Sequence, residues 1–183
     1  MKTPSDRLNL AGIAVLALFL VMAPAAMRGQ TAATASSPVA GAAQITLTGD
    51  VEKPLTLSLD DLRRLPRETV SVKNEHAGKD EVYEGTSLAG LLKQAGVAQG
   101  ARLRGKAMAT CVVAEGSDGY RVVFSLAELD SDFEDSGVIV ADTVDGKPLD
   151  EKLGPLRLVA PHDKRPARWV RMLRSIQVVN VAK

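Results

Sequence analysis

The chain has 183 residues, 45% hydrophobic and only 3% aromatic, with a formal net charge of +1. That length and apolar content suit one domain around a single core, and the balanced charge with few aromatic stacking platforms excludes nucleic acid as a partner. The single cysteine excludes an internal disulfide and any cysteine-rich zinc site.

Taken in order, Lys2 and Arg7 precede an apolar run from Leu10 to Met22, closed by Ala23-Pro24-Ala25-Ala26. A basic start, a short apolar middle and small residues predict a cleaved signal peptide over residues 1–26. The run is shorter than the roughly 20 residues that span a bilayer. No cysteine follows it for lipid attachment, and Asp6-Arg7 stands where an arginine pair would be. Export by the general secretory route to a periplasmic or secreted location is therefore expected. Residues 27–43 are mostly Ala, Ser, Thr, Gly and Pro, the composition of a disordered linker. The folded domain is expected over residues 44–183.

Ile45, Leu47 and Val51 alternate around Gly49-Asp50, and Leu55-Thr56-Leu57 follows Pro54, which reads as two short strands. Ser58 is a good N-cap for SLDDLRRL, with Asp60 and Asp61 in its first turn and Pro66 as its stop. ETVSVK (68–73) and EVYEG (81–85) read as a hairpin, and Leu88–Ala95 as a second helix with Gly96 as its C-cap. Met108–Ala114, which contains Cys111, reads as a central strand returning through GSDGY to Arg121–Phe124. A short helix at SLAEL, an acidic loop DSDFED, and strands at Val138–Ala141, Leu156–Ala160 and Ser175–Val181 complete the domain. Many short strands with a few short helices and no βαβ repeat predict an α+β fold on a mostly antiparallel sheet.

One stretch concentrates unusual chemistry: GPLRLVAPHDKRPARW, residues 154–169. Arg157 stands among strand apolars, where a guanidinium is costly unless a carboxylate or an anion meets it. A loop with His162, Lys164, Arg165 and Arg168 then leads to Trp169, the one tryptophan. A solvated basic loop beside a core tryptophan accounts for the stretch taken alone; converging arginines beside an aromatic ring also suit a flat, polar or anionic ligand.

Five segments together carry a resemblance. GDVEKPLTLSLDDLRRLP, YEGTSLAGLLKQAGV, SDGYRVVFSLAEL, VIVADTVDGKPLDEKLGPLRLVAP and RPARWVRMLRSIQVV resemble, in order and spacing, the oxidoreductase molybdopterin-binding domain of the sulfite oxidase type. The resemblance implies a β-rich α+β fold whose pocket holds the pterin-dithiolene part of the molybdenum cofactor. It implies pterin or phosphate contacts from the basic strand-end segment, here Arg157, Lys164, Arg165 and Arg168.

The chain also departs from that family. Catalytic members ligate molybdenum with a cysteine in the segment before the GTSL-type helix; the matching TVSVKNEHAGKDEVYEG contains none, with Val72, Lys73 or Asn74 near that slot. Cys111 lies elsewhere in the pattern and reads as a small core residue. Molybdenum proteins are loaded before export, and exported members generally use a twin-arginine signal, which this chain lacks.

The expectation is an exported, non-redox ligand-binding or sensory protein, similar to periplasmic relatives without the cysteine that bind free pterins and control a membrane-bound signalling partner. No covalently bound cofactor is expected. In that reading Trp169 or Tyr120 stacks on the flat ring, Asp118 or Glu115 pairs with its 2-amino-pyrimidine edge, and Arg157 and Arg168 hold a carbonyl or an anionic side chain. Asn74, Glu75 and His76 are candidates for the rim, and His162 for the basic side. Two alternatives stand beside it: a molybdenum-cofactor-dependent oxidoreductase with a redox partner, and a protein–protein interaction module without a small ligand. No hydrolase triad or zinc pattern surrounds His76 or His162.

Overall fold

The computed structural model describes residues 43–74 and 78–182. The expected signal peptide, the expected linker up to residue 42, Glu75 and His76 lie outside the described residues. In order, the described chain forms β1 (Gln44–Gly49), β2 (Leu55–Ser58), α1 (Leu59–Arg64), β3 (Arg67–Asn74), β4 (Lys79–Ser87) and α2 (Leu88–Gln94). There follow β5 (Thr110–Gly116), β6 (Arg121–Ser125), β7 (Ile139–Val144), β8 (Lys147–Pro148), β9 (Arg157–Val159) and β10 (Leu173–Asn180), with short 3-10 helices between some of them.

The strands make two sheets. The first has the order β2-β1-β10-β5-β6; the second has β3-β4-β7-β8, with β9 also paired to β7. Every strand pair is antiparallel except β1 with β10, which run parallel. This is the predicted α+β class, and the helices are as short as their sequences imply. Ser58 caps α1 through a capping box, its hydroxyl accepting from the Asp61 amide while the Asp61 carboxylate accepts from the Ser58 amide. Two orphan amides are thereby satisfied within one turn. At the far end Leu65 leaves the helix in an extended conformation, the geometry that the following Pro66 demands.

Strand alternation divides the apolar residues between two cores. From β7 and β9, Val140 and Leu158 face the first sheet, where Ile45, Leu47, Val112, Ala114, Phe124, Ile176 and the leucines of α2 meet them. Ile139, Ala141 and Val159 point to the opposite side, into a smaller cluster with Val72, Tyr83 and Leu149. Trp169 packs against both clusters. Gly85 holds β4 and β7 together at the irregularity in their pairing: a Cβ there would lie 2.1 Å from the Val140 carbonyl oxygen. The buried carboxylate of Asp142 ties β7 to β3 and α1, receiving two hydrogen bonds from Arg67 (2.6 and 3.0 Å) and an ion pair from Arg63.

Two local expectations change. Met108 belongs to a 3-10 turn, Gly105–Ala109, and β5 begins at Thr110. With Thr110, Val112 and Ala114 facing inward, the alternation places Cys111 on the outer face of the first sheet, half-buried, instead of in the core.

Candidate functional site

The chain around Trp169 is shaped by three constraints in succession. Pro166–Arg168 forms one 3-10 turn, and the Trp169 amide donates to the Pro166 carbonyl at its end. Val170 then exchanges two backbone hydrogen bonds with Leu158 and is fully buried. Trp169, in extended backbone just before the inward Val170, is turned the other way, and the chain then bends at Arg171. Met172 next adopts a left-handed conformation (φ 48°), and its carbonyl accepts from the Ser117 amide. That bond brings in the Ser117–Tyr120 turn. Gly116 permits the approach, since a Cβ there would meet the Arg171 carbonyl oxygen at 2.6 Å.

Between the two turns lies a cleft of about 190 Å³ lined by Asp118, Tyr120, Pro166, Ala167, Trp169 and Arg171. The Tyr120 hydroxyl donates to the Ala167 carbonyl across one end (2.5 Å). One Asp118 carboxylate oxygen accepts from the Tyr120 amide (3.0 Å), closing the turn. The other stands 3.9 Å from the Arg171 guanidinium, too far for a tight hydrogen bond, and so keeps acceptor capacity. The cleft presents an indole, a phenol ring, a carboxylate and a guanidinium: apolar faces with a few convergent polar groups, the usual make-up of a small-molecule site.

Arg157 does not line this cleft. Its guanidinium carbon lies 4.9 Å from the Trp169 ring centre and 5.4 Å from that of Tyr83. The two rings meet edge to face, with centroids 5.7 Å apart. Arg157 Nη1 donates to the Tyr83 hydroxyl (2.7 Å), Tyr83 donates to Glu81 (2.8 Å), and the Asn74 amide donates to the other Glu81 oxygen (2.6 Å). Among the described residues Arg157 Nε is buried without an acceptor. Burial pushes the Tyr83 phenol up to about 12, with the Arg157 charge opposing and the bond to Glu81 adding to the rise. Burial likewise lowers the Arg157 pKa from its ordinary value. The sequence led us to expect a carboxylate or an anion against this guanidinium. Among the described residues it has no ion pair; a neutral phenol and two ring faces surround it.

Arg168 is placed differently. Nε and Nη2 donate to the two oxygens of Asp163 (2.9 and 2.6 Å), Nη1 donates to Glu128 (3.0 Å), and the guanidinium lies 4.4 Å over the Phe124 ring. The Asp163 bond raises its pKa further. These residues, with Glu134 and His162, line a recess of about 60 Å³ on the other flank of the loop. Its acids neutralise the one arginine it contains.

Of the residues singled out in the sequence, the structure therefore gathers Asp118, Tyr120 and Trp169 in one cleft, with Arg157 behind the indole. His162 and Arg168 belong to the recess. Lys164 and Arg165 are exposed and line neither cavity, and Asn74 is tied to Glu81. Glu115 is held by Arg174 and Arg121, which keep its carboxyl below the usual range; both of its oxygens are engaged there. Sequence reading missed Arg171, which the bend after Val170 brings to the same cleft as Trp169. It also missed Tyr83 and Glu81, read only as hairpin residues.

The residues do not fit the metal half of a molybdenum cofactor. The one cysteine in the chain, Cys111, lies on the outer face of the first sheet and ~16 Å along β5 from Gly116, at about 3.3 Å per residue. It offers no thiolate to the cleft, and thiolate is the soft ligand that this chemistry uses. Among the described residues no cluster of three or more His, Cys, Asp or Glu side chains could hold a metal ion.

No curated protein sequence matches the chain. Among solved structures it is similar to the sulfane dehydrogenase SoxCD from Paracoccus pantotrophus, with 24% identity and a TM-score of 0.59. The match covers 75% of this chain and 38% of that one, so the chain spans well under half of that protein, and the likeness is one of fold. The family model described as "oxidoreductase molybdopterin binding domain" matches residues 34–183, and the chain belongs to that family.

Proposed function

We propose that this member of the family binds a free pterin-type heterocycle in the Trp169 cleft and works as an exported, non-redox ligand-binding or sensory protein. The observation that carries the reading is the cleft itself: ring walls from Trp169 and Tyr120 beside an Asp118 oxygen with spare acceptor capacity. A carboxylate accepts two parallel hydrogen bonds from an aminopyrimidine edge, and the indole supplies a stacking face. The basic residues Lys2 and Arg7 before the apolar run Leu10–Met22 support the exported form. A membrane-bound signalling partner is the natural recipient of such a signal.

Isothermal calorimetry of the purified chain with 6-methyltetrahydropterin and 6-methylpterin tests this. Saturable binding at one site, weakened in Asp118→Asn, is the expected result. Failure of both probes to bind overturns it. Family membership favours a second reading, a molybdenum-dependent oxidoreductase. Stoichiometric molybdenum in natively purified protein would establish that reading in place of the first.

A further inference from the structure

We infer that Arg157 acts on the cleft through Trp169 without touching the ligand, and that its charge, which forms no ion pair among the described residues, makes the indole select electron-rich pterin rings over electron-poor ones. The inference rests on the proposed ligand reading and deepens it. Trp169 belongs to both environments: it lines the cleft and receives the guanidinium over its ring at 4.9 Å, while Arg157 is absent from the cleft lining. Its ring is fixed by three contacts: the indole N–H donating to the Ala160 carbonyl (2.9 Å), the Tyr83 edge and the Arg157 face.

The charge on that face is unusual. Arginine remains protonated in proteins, and the hydrogen-bond acceptor that Arg157 has is the neutral hydroxyl of Tyr83. Among the described residues Nε is buried with no acceptor and no carboxylate comes within ion-pair distance. Glu81, hydrogen-bonded to Tyr83, and Asp150 act on the guanidinium only at longer range. The groups in direct contact with the guanidinium are thus the Tyr83 hydroxyl and the π-clouds of Trp169 and Tyr83, and a cation drawn to a ring face pulls electron density towards itself. An indole polarised in this way is a better stacking partner for an electron-donating ring. Arg168 provides the contrast, since Asp163 and Glu128 neutralise it before it meets Phe124.

The test compares affinities of 6-methyltetrahydropterin, whose pyrimidine half is electron-rich, and oxidised 6-methylpterin, by calorimetry on the full chain and its variants. The wild type is expected to prefer the reduced probe. Arg157→Gln, which keeps a donor for Tyr83 but removes the charge, is expected to lower the reduced-to-oxidised ratio by about threefold to tenfold, the range of a partly desolvated cation–π interaction. Arg157→Lys, which keeps the charge, is expected to hold most of the ratio. A purely structural role would weaken both probes alike and leave the ratio in place; that result, with both probes still binding, overturns this inference and spares the ligand reading. Binding of neither probe to the wild type overturns both. Should Arg157→Gln not fold, wild-type affinities across pterins of matched size decide the matter: they must rise with ring electron density, and a flat or inverted order overturns the inference.

Discussion

Two arginines eleven positions apart, Arg157 and Arg168, flank one loop and look alike as sequence, yet the molecule uses them in opposite ways. Arg168 sits at the end of a 3-10 turn, partly exposed, where Asp163 and Glu128 take up three of its N–H groups. Arg157 projects from a strand into the smaller core, with a neutral phenol as its hydrogen-bond partner and two aromatic rings about it. The recess around the first is electrostatically closed; the environment of the second leaves a charge to act on the indole that walls the cleft. A basic motif therefore reports how many cations a segment carries. Which of them remain free is decided by the elements packed against it.

Removing the ring that both flanks share should have the largest effect. Trp169→Ala is expected to cost about 3 kcal/mol in chemical denaturation, since the side chain packs against both cores, and to abolish binding of the pterin probes; a loss below about 1 kcal/mol would show that the indole is not a packing element. Next, Asp118→Asn is expected to weaken the reduced probe about tenfold, the scale of one charged hydrogen bond, with the thermal midpoint nearly unchanged. An equal loss in affinity from Arg168→Ala would erase the contrast between the flanks. Instead, that substitution is expected to lower stability by about 1 kcal/mol, as for a well-formed surface pair, and to leave probe affinity where it was.

The smallest effect, and the sharpest reading of the buried side, comes from alkaline titration of Tyr120→Phe, which leaves Tyr83 as the one tyrosine. The native phenol should ionise near 12, against about 10 in the denatured chain. Because the folded value lies above the unfolded one, the contribution of Tyr83 to stability is complete below about 10 and is lost as pH rises towards 12. Ionisation of the native protein near 10 would mean that the Arg157–Tyr83 pair is not desolvated as the structure has it.

Much of the fold was legible in the chain because its signals are local. Ser58 followed by Asp61, Pro66 after the helix, Gly96 past α2 and the alternation of residues 68–73 each specify nearby geometry through capping, φ restriction or a two-residue period. The family resemblance was legible for a similar reason: its five segments lie on successive elements. Half of the cleft could be named in advance, namely Asp118, Tyr120 and Trp169, since a turn carboxylate and scarce aromatics are conspicuous by type. What only the tertiary structure decided is which groups meet. Met172 in its left-handed conformation and Gly116 without a Cβ bring two turns together to form the cleft. The strand register sets Tyr83 opposite Val70 and aims it at Arg157, and it puts Cys111 outside the first sheet. Acids distant in sequence, Glu128 above all, claim Arg168. Composition and spacing set the charge and period of each segment; the long-range pairing of strands determines which charges are neutralised, and hence which remain available for a ligand.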